Sequence, residues 1–417
     1  MAEATLHEPG WLAARRERAA SLRDTLELPR FKGAAGWEFT SLEKLDLDDF
    51  GPAPADAELT LPEPLFDVAG DSISLTQVDG NSDAGEAGTP DRPTVMALSD
   101  AAQRYPELVE PHLGTIVPAD DVFVAANDAD WTRGAFVYVP RGVRVEGPIL
   151  LNAVTAAVGT ALQRRVLIVL EEDAEAEVWE QYLSGDAESA TLLNTVVELV
   201  VGQNARLRYV CGQDLNEKSW IFGAQRAEVQ RDGKLDWVAI GFGSARGRVR
   251  METKLAGEGA EGKVTGAYAP HARQHVDFDT TQEHAAPHTN SDLAFRGILS
   301  DRSTAVWRGV IKVDPGAQQT DAFQECRNLL LSKRAHVDAI PGLEILANDV
   351  RCTHAAAIAQ IDKDQLFYLR SRGLPDPQAQ RLVIEGFMAE LVERFAEGQT
   401  REVLAGALER RLATVLD

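Results

Sequence analysis

The sequence predicts a mainly β protein with helical segments at both ends, and a stacked β-solenoid is the favoured core. Three observations lead to this fold class. From about residue 121 the chain consists of short β-branched and aliphatic runs separated by small or acidic turns. These turns recur at a near-constant step, and no long helical pattern interrupts them before about residue 362. Helical patterns precede and follow this region.

The turns of the β region resemble one another. Four are centred near residues 174, 205, 233 and 260, with separations of 31, 28 and 27 residues, and two more near 304 and 335 are again 31 apart. Such a step is typical of a solenoid or a propeller, because each unit buries its face against its neighbours. A jelly roll also fits the pattern. The helical flanks favour the solenoid, since its open strand edges must be covered at both ends.

We divide the chain into three parts on these patterns. An N-terminal, mainly helical domain at 1–120 contains predicted helices over 11–28 and 96–113 and a short strand near 72–77. The β core covers 121–345, and a helical domain covers 346–417. Asp362 is the expected cap of its first helix, and Asp376 that of its second. The second helix carries a wide apolar face, which we expect to pack on the β core or to dock a partner.

Composition excludes several functional classes. The net charge of −23 over 417 residues argues against nucleic-acid binding. The first residues lack the basic and apolar regions of a signal peptide, and no apolar run is long enough to span a membrane. We therefore expect a cytoplasmic protein without a membrane segment. The three cysteines, Cys211, Cys326 and Cys352, are too few and too scattered for a disulfide framework.

One segment imitates a phosphate-binding loop. Residues 257–264 (GEGAEGKV) match G-x-G-x-x-G and nearly match the P-loop pattern. Val264 replaces the hydroxyl residue that would bind magnesium, no helix pattern follows, and two glutamates would repel a phosphate. We interpret the segment as a turn of the repeat, and nothing else in the chain indicates an enzyme.

The sequence Asp349-Val350-Arg351-Cys352-Thr353-His354 contains the most informative pair of residues. In an extended strand, residues i and i+2 point to the same face, so Cys352 and His354 project together. A thiolate and an imidazole are both metal ligands, but two ligands are half of a usual site. No second pair lies nearby in the sequence. The remaining ligands would come from elsewhere in the fold or from another chain.

The region from residue 328 onward resembles the SufB/SufD family of iron–sulfur cluster assembly scaffolds. The resemblance is carried by segments 328–332 (NLLLS), 335–338 (AHVD), 348–354 (NDVRCTH) and 365–373 (QLFYLRSRG). The chain length, the Cys-x-His pair and the segments 8–12 (EPGWL) and 37–40 (WEFT) resemble the SufD branch more than the longer SufB branch. The chain has Ala355 and Ala357 where the family usually has glycine and threonine, which leaves the ligand position intact.

The resemblance implies a fold and a role. The fold would be a right-handed parallel β-helix flanked by helical domains. The chain would be a non-catalytic scaffold that pairs with SufB and binds the SufC ATPase through its C-terminal helices. His354, with Cys352 as a second candidate ligand, would contribute to an iron or iron–sulfur cluster site shared with SufB, and the isolated chain could form a homodimer.

Two other functions remain open at this point. A SufB-like scaffold that holds the cluster as a homodimer would need further cysteine ligands in the β core. A β-solenoid enzyme acting on polysaccharide would need paired acids in an aromatic-lined groove, whereas aromatic residues are only 6% of the chain. A purely structural module, in which Cys352 and His354 bind nothing, is a further alternative.

Overall fold

The computed structural model describes residues 8–34 and 36–416. The helices are α1 (Gly10–Arg23), α2 (Leu98–Arg104), α3 (Pro106–Val109), α4 (Val122–Asp130), α5 (Lys363–Ser371), α6 (Asp376–Val392) and α7 (Gln399–Leu416), with a 3₁₀ turn at Leu47–Asp49. The strands are β1 (Gly51–Pro52), β2 (Ile73–Val78), β3 (Asn81–Ser82), β4 (Thr94–Met96), β5 (Ala135–Val139), β6 (Ile149–Thr155), β7 (Thr160–Leu170), β8 (Glu175–Ser184), β9 (Thr191–Val201), β10 (Arg206–Asp214), β11 (Trp220–Val229), β12 (Lys234–Gly241), β13 (Arg246–Leu255), β14 (Glu261–Tyr268), β15 (His275–His284), β16 (Asn290–Leu299), β17 (Thr304–Val313), β18 (Thr320–Leu330), β19 (His336–Ile345) and β20 (Val350–Gln360).

From β5 onward the chain winds alternately through two parallel sheets. Odd-numbered strands from β5 to β19 lie side by side in the first sheet, and even-numbered strands from β6 to β20 in the second. Every neighbouring pair along these runs is parallel, so each strand stacks on the one two places earlier. The prediction of a mainly β solenoid core with helical flanks is confirmed. Inward-pointing apolar side chains of both sheets, including the fully buried Trp237 and Trp307, fill its interior.

The turns from the first sheet to the second form a column. Each of the six turns from β7–β8 to β17–β18 contains a residue with left-handed backbone and φ between 54° and 73°, and these residues are Asp173, Asn204, Asp232, Gly259, His288 and Gln319. Asp, Asn and Gly tolerate this conformation best, which is why the first four turns look alike in sequence. In each of these turns the backbone N–H of the left-handed residue donates to a carbonyl of the next turn, as Asp173 does to Gln203 at 2.9 Å.

The predicted series of turns lacks a member between those near residues 260 and 304, and the structure explains why. The column continues through His288 and Gln319, whose side chains differ from the earlier Asp, Asn and Gly. The turns near 304 and 335 lie at the other corner, where the second sheet returns to the first. The apparent six-turn series therefore combined two separate columns.

The N-terminal part contains less helix than predicted. The helix expected over 11–28 is α1, which ends at Arg23, and the one expected over 96–113 is divided into α2 and α3. Pro106 cannot continue α2 and instead begins α3. The strand expected near 72–77 is β2. The helix α4 lies just inside the region that we predicted as purely β.

The C-terminal helices cover the second sheet. Asp362 caps α5 as predicted, with its carboxylate accepting from the backbone N–H of Asp364 at 2.8 Å, whereas Pro375 and not Asp376 precedes α6. The buried row of α6 and α7 packs on outward-facing side chains of the second sheet, and includes Ile384, Met388, Leu391, Leu404 and Leu408. The expectation that this apolar face packs on the chain's own β core is confirmed.

Candidate functional site

Cys352 and His354 lie on β20, the last strand of the solenoid. We expected the pair at the start of a helical part beginning at residue 346, but the strand continues to Gln360 and α5 begins only at Lys363. β20 pairs in register with β18, so Ala322 is the neighbour of Cys352 and Gln324 that of His354. The pair therefore belongs to the β-solenoid.

Both side chains point toward the interior of the solenoid. Residues paired in register on parallel strands share a face, and the partners Ala322 and Gln324 are 1% and 0% exposed. The amide of Gln324 spans the interior, donating to the carbonyls of Gly309 at 3.0 Å and Gly342 at 3.1 Å on the opposite sheet. The alternation predicted from the sequence thus brings the thiol and the imidazole onto one inward face.

The pair is nevertheless accessible, because no described strand continues the stack beyond β19 and β20. On β17, the inward Ile311 is 0% exposed, whereas its register partner Leu343 on β19 is 40% exposed. His354 is exposed and Cys352 is half-buried. In the last turn, the face that is buried inside the solenoid in earlier turns is therefore exposed to solvent.

This open end is apolar as well as unpaired. We call it the end face, and it comprises the exposed Leu343, Ile345, Leu346 and Ile358 together with Cys352 and His354. The neighbouring helix α5 has no buried residue, and its Phe367 is 73% exposed. Exposed apolar surface of this kind, bordered by unpaired strand edges, is typical of a surface that another molecule covers.

The Cys352 thiol has an environment that disfavours its charge. Burial raises its pKa, and the nearby carboxylate of Asp321 raises it further. Asp321 is held on the outer side of β18 by Arg351, with Nε and Oδ1 separated by 3.0 Å. A bound cation would favour the thiolate and release the proton.

The two residues make at most half of a metal site within this chain. Across residues 8–34 and 36–416, no group of three or more His, Cys, Asp or Glu side chains is placed to hold a metal ion. Thiolate and imidazole suit iron, and iron–sulfur clusters use mainly thiolates with occasional imidazoles. Further ligands would have to come from a molecule that docks on the end face.

The other cysteines and the clustered histidines have structural surroundings. Cys211 and Cys326 are buried, and burial raises their pKa values to about 12 and about 11. Burial lowers the pKa of both His275 and His284 to about 4, so both rings are neutral at pH 7. The two nitrogens of His284 meet the hydroxyls of Thr289 and Ser291 at 2.7 and 2.8 Å.

Two buried ionic networks around β7 were not predicted from the sequence. Arg164 points inward and donates to Glu180 at 2.8 Å, with both side chains at most 1% exposed. Arg165 points outward and donates to Asp128 at 3.0 Å and Glu198 at 2.8 Å. Two consecutive arginines inside a strand of aliphatic residues were the available signal, because such a strand buries both of its faces.

Thiol labelling tests the accessibility of the pair. In the folded protein, one thiol per chain is expected to react with a maleimide, at Cys352, and three after denaturation. The thiolate is the nucleophile and Cys352 has a raised pKa, so its labelling rate should increase with pH through the mildly alkaline range. Mass spectrometry of labelled peptides identifies the site, and Cys352→Ser provides the control. Rapid native labelling of Cys211 or Cys326 would contradict the assignment of both as core residues.

The fold and the pair define a class of protein: a two-sheet β-solenoid whose open end carries an accessible thiol and imidazole. A family model described as "SUF system FeS cluster assembly, SufBD core domain" matches residues 152–387, and one described as "SufBD protein N-terminal region" matches residues 6–151. The chain therefore belongs to the SufBD family of iron–sulfur cluster assembly proteins, as its resemblance predicted.

Curated relatives place it with SufD-like members. The chain is 29% identical to "Iron-sulfur cluster assembly protein SufD" of Bacillus subtilis (strain 168), over 97% of this chain and 95% of that protein. It is 27% identical to an iron–sulfur cluster assembly SufBD family protein of Synechocystis sp., over 93% of this chain and 88% of that protein. Membership of this family argues against the alternative of a β-solenoid enzyme acting on polysaccharide. No helix within residues 8–34 and 36–416 has the length and apolar character needed to cross a membrane.

Proposed function

We propose that this chain is a scaffold subunit without a reaction of its own, which pairs through its end face with SufB. His354 contributes one ligand to the iron or nascent iron–sulfur cluster at that interface, which is the cargo of the assembly. The observation that carries the proposal is an inward-facing imidazole left accessible at the unfinished end of a solenoid. A second solenoid docked there would cover the apolar side chains and could supply the missing ligands.

Cys352 has a secondary part in this proposal. Its side chain shares the inward face with His354, but it is half-buried and packs beside the small apolar cluster around Ile311 and Ala322. A thiolate at this position can bind iron when the cation displaces its proton. Cys352→Ser separates a ligand from a packing residue, since serine retains the size of the side chain but not its affinity for iron.

The C-terminal helices are the proposed docking site of the SufC ATPase. α6 and α7 are anchored on the second sheet, whereas α5 connects β20 directly to them and leaves Phe367 and Tyr368 exposed. A partner that moves these helices would act on the strand that carries His354, because only Ile361 and Asp362 separate β20 from α5. The assembly is proposed to work in the cytoplasm.

Substitution of His354 tests the ligand role. His354→Ala, co-expressed with SufB and SufC, is expected to form the same complex but to yield at least ten-fold less cluster. The side chain is exposed, so its loss should leave the thermal stability of the chain unchanged. Cluster yield is measured anaerobically by visible absorbance and iron content after reconstitution, and complex formation by size-exclusion chromatography.

The matched control is His336→Ala. His336 is also an exposed histidine of the last turn, but it pairs with Asp338 at 3.1 Å on the outer side of β19. We expect this variant to retain the full cluster yield. Equal yields for both variants and the wild type would refute the ligand role of His354, and loss of the complex in His354→Ala would assign the residue to docking instead.

A further inference from the structure

A row of basic side chains lines one corner of the solenoid, where the second sheet returns to the first. Trp220, Arg246, His275, Thr304 and His336 are paired in register on successive strands. The residues two positions before them are Lys218, Ser244, Arg273, Arg302 and Arg334. Four of these five are cations, and successive ones are separated by about 4.8 Å per turn. They line a groove of about 1280 Å³ that also contains Lys44 and Arg246.

Most of these cations have no ionic partner. Lys218 pairs with Glu188. Within residues 8–34 and 36–416, the side chains of Lys44, Arg246, Arg273, Arg302 and Arg334 form no ion pair and no hydrogen bond. The two acids of the groove are already engaged: Glu217 contacts His271 at 2.8 Å, and Asp301 accepts from the backbone N–H of Ala272 at 3.0 Å.

In the groove at the opposite corner of the solenoid, several cations at comparable positions do form ion pairs. That groove, of about 730 Å³, contains comparable cations at successive turns. There, Arg144 pairs with Glu175, Lys234 pairs with Glu261, and Arg208 lies between two carboxylates. The described residues that line this second groove include five cations and six carboxylates, whereas those that line the first include six cations and two carboxylates, so only the first groove has an excess of positive charge.

Stacked like charges repel each other when they occupy adjacent positions on neighbouring strands. The electrostatic energy of three arginines at consecutive turns is therefore unfavourable in the isolated chain. A negatively charged ligand would make the electrostatic energy of the groove favourable. The row from Lys218 to Arg334 extends over roughly 19 Å, the length of about six residues of extended polypeptide. The net charge of −23 opposes the approach of a long polyanion such as nucleic acid.

We propose that this basic groove binds an acidic segment of a partner polypeptide, laid along the solenoid axis across Arg273, Arg302 and Arg334. The site is separate from the end face, and the proposal does not depend on the ligand role of His354. Because the cations are exposed, their contribution is mainly to association rate and to specificity, and it weakens as salt increases.

Fluorescence anisotropy with a labelled deca-glutamate peptide tests the proposal on the full chain. The wild type is expected to bind the peptide at low salt, with affinity decreasing as sodium chloride rises. Arg302→Glu combined with Arg334→Glu should weaken binding at least ten-fold. The control, Arg18→Glu combined with Arg104→Glu, makes the same change in net charge at exposed arginines of α1 and α2 and should bind as the wild type does.

Each other outcome overturns the proposal. Absence of peptide binding by the wild type, or equal weakening in both double variants, would show that the groove has no specific role. Binding of a single-stranded oligonucleotide or of inorganic polyphosphate in preference to the peptide would assign it to a phosphate ligand instead. Circular dichroism and thermal melting confirm that the groove variant is folded, and Arg302→Gln with Arg334→Gln, which only removes charge, should give an intermediate affinity.

Discussion

Replacement of Glu198 with alanine is expected to lower the free energy of unfolding by about 3–5 kcal/mol, because the change removes one of the two carboxylates that pair with the buried Arg165 and also removes the acceptor of three backbone N–H groups. Glu198 is 0% exposed on β9 and accepts from Arg165 at 2.8 Å. It also accepts from the backbone N–H groups of Gly114 at 2.8 Å and of Ile116 and Val117 at 3.2 Å. Alanine would leave all four donors without this acceptor, and three of them, those of Arg165, Ile116 and Val117, are buried.

Glu172→Ala is the matched control for this prediction. Glu172 forms an ion pair of similar length with Arg141, at 2.6 Å, but the arginine side chain is 70% exposed. We expect a loss of about 0–1 kcal/mol there, since water replaces the carboxylate. Chemical denaturation followed by circular dichroism measures both. Similar losses for the two variants would show that burial does not determine the strength of the Glu198 interactions.

The location of Glu198 explains why the expected loss is large. Arg165 also contacts Asp128 on α4, and Asp128 in turn contacts Arg15 on α1 at 2.8 Å. This network joins the N-terminal helices to the outer side of the first sheet, so its disruption should release them before the solenoid unfolds. Limited proteolysis of Glu198→Ala is therefore expected to cleave first near residues 110–120.

Charge introduced into the end face is expected to weaken the proposed pairing with SufB strongly. Leu346 and Ile358 are 55% and 49% exposed, so Leu346→Asp with Ile358→Asp should change the stability of the isolated chain by less than about 0.5 kcal/mol each. In the complex the same aspartates would be buried without partners. We expect at least a hundred-fold weaker association, the effect of losing central contacts in an interface.

Val158→Asp is the control for the end-face variant. Val158 is an equally apolar residue, 72% exposed, in the turn before β7 at the other end of the stack. Co-purification and isothermal titration calorimetry with SufB measure association, and sedimentation velocity of the isolated chain shows whether it forms a homodimer through the same face. Unchanged binding by the end-face variant would refute this docking site, whatever the fate of the cluster.

Much of the architecture could be predicted from short-range patterns. Asp and Asn at left-handed turn positions produced the recurring step, and Asp362 marked the start of α5. Both signals depend on local backbone preferences, which a sequence shows directly. The divided helix at 98–109 was less visible, because Pro106 is compatible with the start of a helix as well as with the end of one.

The sequence by itself determined that Cys352 and His354 share one face of a strand, because side chains alternate with a period of two in any extended chain. Only the tertiary structure decided that this face points inward and that the pair lies on the final turn, where nothing described covers it. Exposure depends on how many turns follow and on contacts between residues far apart in the chain. The same long-range packing placed Arg165 against Glu198 and left the arginines of the basic groove unpaired, and no local pattern shows either result.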